Sequence, residues 1–154
     1  MIITAAISIR HGKYKSLFNK VKKLNKIIEP NIKTLYGLVN IPEDVKIHFR
    51  PIRNVSLIGQ YVSTTHTVEI DPRKGKIDEL LSTVCHELVH AEQYHENRLT
   101  SDHKFFYWCG EKHRYTLNND IYSNFPWEIE ACDRQYILYD AAFKKTFLIQ
   151  KKNK

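Results

Sequence analysis

The residues TVCHELVHAEQ, numbers 83–93, decide the fold and the chemistry of this chain together. Around them apolar side chains recur at helical spacing. Ile77, Leu80, Leu81, Val84, Leu88 and Ala91 share one face, and Thr83, His86, His90, Gln93 and Asn97 share the other. The pattern predicts a helix from about Ile77 to Asn97 with its apolar face in a core. His86 and His90 then stand one turn apart on the polar face, where both imidazoles can reach one ion. Glu87 follows the first histidine, placing a carboxylate where it can take a proton from water on that ion. Zinc brings such chemistry to neutral pH because it stabilises hydroxide. The same five-residue pattern also arises by chance on helix surfaces, so the rest of the chain must supply a third ligand and leave a fourth position open.

Three sources of that ligand stand out. A metzincin arrangement is excluded, because Glu96 and Gln93 occupy the positions where it needs a histidine and a glycine. His95 falls on the apolar side of the same helix and is expected to be structural. His103, in SDHKFFYW, lies a dozen or so residues past the pair and reads otherwise as a loop histidine. Glu128 and Glu130, in PWEIEA, sit on a later helix, and two residues apart they cannot both face one metal. Their ordinary readings are a first-turn acid favoured by the helix dipole and a solvated face.

Outward from this helix the chain is punctuated clearly. YKSLFNKVKKLNKIIE, residues 14–29, places Leu17, Val21, Leu24 and Ile28 opposite its lysines, a helix that Pro30 is expected to stop. VKIHFRPI alternates from Val45 to Phe49 and predicts a strand, with Pro51 ending its pairing. LIGQYV and THTVEI predict two more, Val68 and Ile70 facing one way and Thr67 and Glu69 the other. DPRKG is a turn, FFYWCGEKHRYTL a hairpin turning near Gly110, and Pro126 opens a last helix.

Bulk properties bound the answer. At 154 residues, with 42% hydrophobic and 27% charged, the chain predicts one domain spanning residues 1–154 with basic ends. Cys85, Cys109 and Cys132 are odd in number and form no Cys-x-x-Cys pair, which argues against disulfides and for a reducing compartment. Cys109 with His113 lacks the partner pair a second zinc site needs. MIITAAISIR lacks the features of a signal peptide, and no run approaches the roughly 20 apolar residues of a membrane span. A cytoplasmic protein is expected. Lys plus Arg outnumber Asp plus Glu by 24 to 17, a formal charge of +7, concentrated in residues 10–26 and from Lys144 onward. That excess is either a nucleic-acid surface or a solvated helix face and tail, and the absence of interleaved aromatics favours the latter.

Taken together, HELVHAEQYHENRL, the hairpin WCGEKHRY, Tyr122 and PWEIEA resemble small, mostly phage-encoded zinc metallopeptidases of the minigluzincin kind. The likeness covers about residues 58–136, including IGQY and THTVEI. It implies His86 and His90 as zinc ligands, Glu87 as general base and a glutamate of PWEIEA as third ligand. Related families place the first glutamate on zinc and an alanine one turn later, which favours Glu128, with Ala131 letting the helices approach closely. It also implies a sheet edge near Thr65 to Ile70 that holds an extended peptide. Gluzincins often carry an aspartate one turn after the ligand glutamate to orient a histidine. Here that position is Cys132, with Asp133 the available substitute. His103 followed by aromatics resembles instead the SprT-like proteases that act on DNA-crosslinked proteins, without their glycine-proline context.

The reading is therefore an α+β domain: a basic N-terminal helix, a small, mainly antiparallel sheet, the HExxH-bearing helix, a hairpin and a closing helix. It would hydrolyse peptide bonds through zinc-bound water activated by Glu87. Tyr115, His113 and Tyr122 are the candidate donors to the developing oxyanion. The alternatives are a DNA-guided SprT-like protease with His103 on the metal, and an inactive zinc-stabilised domain that binds nucleic acid through the lysine helix.

Overall fold

The computed structural model describes residues 3–4, 15–102, 104–116 and 118–152. Its elements run β1 (Ile3–Thr4), α1 (Lys15–Tyr36), β2 (Lys46–Phe49), β3 (Gly59–Val62), β4 (Thr67–Ile70), α2 (Ile77–His95), β5 (Leu99–Ser101), β6 (Phe105–Trp108), β7 (Glu111–Arg114), α3 (Asn119–Tyr122) and α4 (Pro126–Lys152). The architecture is α+β, with a four-stranded and a three-stranded sheet. No described helix is long and apolar enough to cross a membrane.

The larger sheet has the order β1-β2-β4-β3 and differs from the expected antiparallel one. β1 pairs with β2 and β2 with β4 in parallel, and only β3 and β4 run antiparallel. The reason lies in the connection after β3, where a single turn of 3₁₀ helix at Ser63–Thr65 and left-handed His66 (φ 47°) reverse the chain. The returning strand β4 is thereby set between β2 and β3. Val68 and Ile70 are buried with Val45, Ile47 and Phe49, as their alternation predicts, under a core shared with Leu80, Leu81, Val84 and Leu88 of α2.

Helix α1 does not stop at Pro30 but continues to Tyr36. A proline inside a helix removes one N–H and crowds the preceding turn. Here the Asn31 amide donates to the Ile27 carbonyl at 2.8 Å, which satisfies an acceptor beside the disruption. Burial of Ile27, Ile28 and Leu35 on the same side keeps the helix on the core through the proline. The Lys20 ammonium donates to the carbonyls of Pro72 and Gly75, tying α1 to the turn that launches α2.

Helix α2 starts where predicted and ends two residues early, at His95. Asn97 takes a left-handed φ of 56°, with its N–H donating to the Tyr94 carbonyl and the Arg98 N–H to the Gln93 carbonyl. This is a Schellman C-cap, for which asparagine is the usual alternative to glycine. His95 is exposed at this last turn and does not join the core as expected. The β6–β7 hairpin turns at Cys109 and Gly110, both at positive φ (48° and 86°), as a two-residue turn matched to strand twist requires. β5 adds a third, antiparallel strand that the sequence pattern does not announce.

Asp71, at the end of β4, is fully buried and binds two loops together. Its carboxylate accepts from the Ile52 N–H at 3.0 Å and the Arg73 N–H at 3.1 Å, and from the Arg73 guanidinium at 2.9 and 2.6 Å. Burial alone would raise its pKa, but these donors hold the carboxyl down at about 2. A depressed folded-state value means stabilisation that is complete above the ordinary carboxylate range and is lost as pH falls through about 2. Asp71→Asn should therefore be less stable than wild type at neutral pH in urea unfolding. The gap should shrink by about 2 kcal/mol by pH 2, and a gap independent of pH would refute the ion pair's contribution.

Candidate metal centre and active-site cleft

Two helices build the site. α2 projects His86 and His90 from successive turns, and α4 crosses it so that Glu128, in its first turn, meets them. The two Nε2 atoms lie 3.1 Å apart, and the Glu128 carboxylate oxygens lie 3.3 Å from each. One ligand atom from each residue falls within 4.8 Å of the others, a cluster able to hold a metal ion. Glu128 Oε1 is buried and accepts no hydrogen bond. Two imidazole nitrogens and a carboxylate oxygen converging there, with one carboxylate atom otherwise unsatisfied, fit a divalent cation well.

Glu130 faces elsewhere. Arg98 grips it with two N–H groups at 2.6 and 3.1 Å, and Arg134 adds a third contact at 3.1 Å. Both arginines also reach the buried Glu92, whose other oxygen accepts the Asn40 N–H at 2.7 Å. The two acids of PWEIEA thus divide, one into the cluster and one into an ion-pair network. His103 lies outside the described residues.

Electrostatics follow from this packing. Burial would raise the Glu128 carboxyl, yet His86 and His90 against it hold it below the usual range. Burial would lower His90, and Glu128 and Glu87 instead push it up. Glu87 is buried beside the pair, and its carboxyl is raised by desolvation. The two histidines and the Tyr61 N–H oppose that rise, while Glu128 adds to it.

The cluster opens into a cleft of about 370 Å³ lined by Gly59, Gln60 and Tyr61 of β3, Tyr94, Phe106, Tyr115 and Tyr122, among others. The strand at its edge is β3, not the segment Thr65 to Ile70, because β4 is covered on both sides by β2 and β3. Tyr122 has its hydroxyl against Glu128, and burial followed by that carboxylate raises its pKa. Tyr115 is half exposed and stacks on Phe106, with centroids 5.7 Å apart. His113 is absent from the cleft lining and packs edge-on against Trp127 at 5.2 Å, so it is removed as an oxyanion donor. Cys132 and Asp133 are both exposed, and Asp133 does not orient a histidine.

The residue that does contact a histidine ring is Gln93, which sequence reading placed on the polar face without a role. Its Oε1 lies 2.8 Å from His90 Nδ1, and its Nε2 donates to the Trp127 carbonyl at 3.0 Å. The signal the sequence carried for it is its place three residues after His90 on the same helix face. Trp127, fully buried and stacked on Phe125 at 4.4 Å, anchors the turn that carries Glu128. Phe106 and Trp108 of the hairpin pack against the same indole.

Comparison of the chain with protein-family models, curated proteins and solved structures gives no match.

Gly59 is where β3 touches α2. A Cβ there would meet Thr83 Cγ2 at 2.6 Å, Ile70 Cδ1 at 2.9 Å and Glu87 Cγ at 3.2 Å. Gly59→Ala should cost about 1–3 kcal/mol in chemical denaturation, the usual penalty of overpacking. An unchanged midpoint would mean that strand and helix separate freely at this point.

Proposed function

We propose that this protein is a zinc-dependent peptidase of the gluzincin kind, as its resemblance to the minigluzincins implies. The observation that carries the reading is the convergence of His86, His90 and Glu128 from two helices, with the buried carboxylate of Glu87 beside them. A lone HExxH on a helix surface would have no reason to meet a buried carboxylate from α4. Two imidazoles and one carboxylate, with a fourth position open to a cleft, form the donor set of catalytic zinc sites.

His86, His90 and Glu128 would hold the ion. Zinc, when bound there, would supply a Lewis acid that acidifies water and polarises the scissile carbonyl. Glu87 takes the proton from the attacking water at its carboxylate and passes it to the departing amine. Its raised proton affinity suits both halves of that transfer. Tyr122 steadies Glu128 through its hydroxyl, whereas Tyr115, on the cleft wall, is the better placed to donate to the developing oxyanion. An extended substrate segment would add to the open side of β3, its backbone pairing along Gly59–Val62.

Elemental analysis of purified wild type, His90→Ala, Glu128→Ala and His103→Ala tests the site. One zinc per chain is expected in wild type and His103→Ala, and none in the other two. Zinc lost with His103 but kept without Glu128 would instead favour the SprT-like reading and a search for DNA-dependent cleavage. Glu87→Gln should retain zinc while cleavage of an unfolded protein substrate falls by about 10²-fold or more. Undiminished cleavage would remove Glu87 from the mechanism.

A further inference from the structure

Gln93 is fully buried, yet it makes three polar contacts. Its Nε2 faces the Trp127 carbonyl at 3.0 Å and Glu130 Oε2 at 3.3 Å. Its Oε1 faces His90 Nδ1 at 2.8 Å. A carbonyl oxygen accepts hydrogen bonds and cannot donate, and the same holds for a carboxylate engaged by two arginines. The amide must therefore turn its NH₂ toward α4, which leaves its oxygen toward the imidazole. That oxygen can only accept, so His90 Nδ1 carries the proton. In the neutral ring the lone pair then sits on Nε2, the atom that points at His86 and Glu128.

The other end of the same amide holds the backbone of Trp127, the residue immediately before Glu128. One side chain thus sets the tautomer of one candidate ligand and the approach of the helix that delivers another. Neither Cys132 nor Asp133, both exposed, competes for the imidazole. The Gln93 carbonyl oxygen of the backbone, bonded by the Arg98 N–H at 2.9 Å, also fixes the end of α2 from which Arg98 reaches Glu130.

Building on the metal site proposed above, we infer that Gln93 is its positioning residue: with its NH₂ turned to α4, its side-chain oxygen locks His90 with Nε2 toward the metal.

Zinc affinity measured by competition with a chromogenic chelator tests this without recourse to turnover. Gln93→Met keeps the side-chain volume and removes all three contacts, and it should weaken zinc binding about 10–100-fold, the usual effect of losing a ligand's supporting hydrogen bond. Gln93→Glu keeps an acceptor for His90 Nδ1–H but loses the donor to Trp127. It should melt at lower temperature while holding zinc within about threefold of wild type, since the ligand's partner is retained. A merely structural glutamine predicts lower melting in both variants with unchanged zinc affinity, and that outcome overturns the inference. Equal weakening in both also overturns it, by assigning the effect to helix docking alone. In the zinc-loaded wild type, long-range ¹H–¹⁵N spectra should show His90 protonated at Nδ1, assigned by comparison with His90→Ala. Protonation at Nε2 would overturn the inference even if both variants fail to fold. Wild type that binds no zinc would overturn the metal-site reading itself, a result separate from a wild type that binds zinc indifferently to Gln93.

Discussion

The contact between α2 and α4 is the constraint on which the candidate site rests, because the first helix carries two of its donors and the second carries the third. Ala131, fully buried on α4, presents no bulk at the crossing and permits the approach. Trp127 is the wedge at its start, enclosed by Phe106, Trp108, His113 and Phe125. The hairpin therefore has a structural purpose. By covering the indole with aromatic rings, it holds the first turn of α4 at the height where Glu128 meets the histidines. Such large buried rings contribute much of the apolar burial available at this end of the molecule.

Charged groups make the same contact directional. Glu92 and Glu130 are joined by Arg98 and Arg134, with Glu92 deeply buried and the guanidinia partly exposed. Such networks add little net stability relative to apolar packing, since desolvation offsets much of the attraction. They do penalise alternatives: a shift of α4 by one turn would take Arg134 from the buried Glu92 and Glu130 from Arg98. The four residues are thus better understood as fixing the register of α4 on α2 than as holding the fold together. Asp71 performs a comparable task at the opposite end of α2, where it joins the loop after β2 to the turn that starts the helix.

Much of the local structure was legible because it depends on near neighbours in the chain. The apolar stripe of α2, the alternation in β2 and β4, the turn at Gly110 and the opening of α4 at Pro126 each follow from spacing within a few residues. Where the reading failed, a distant partner had intervened. Pro30 should end a helix, yet the core holds Leu35 in place and Asn31 relieves the broken turn. The parallel pairing of β2 with β4 depends on where the chain reverses after β3, and alternation is blind to strand order. β5 is three residues long and gains its strand character from β6.

At the site the division is sharper. The sequence by itself determined that His86 and His90 share one polar helix face, because helical periodicity requires it, with Glu87 next to the first, and it narrowed the third donor to a few residues. The resemblance favoured Glu128 over Glu130, but spacing could not separate the two acids; in the tertiary structure Arg98 and Arg134 draw Glu130 away. The same holds for Gln93. Its place on the polar face and its reach to His90, three residues back, are matters of spacing, but its hold on Trp127, 34 residues away, exists only once α2 and α4 are packed together. Periodicity orients a side chain about its own helix axis, and only packing determines what it meets there.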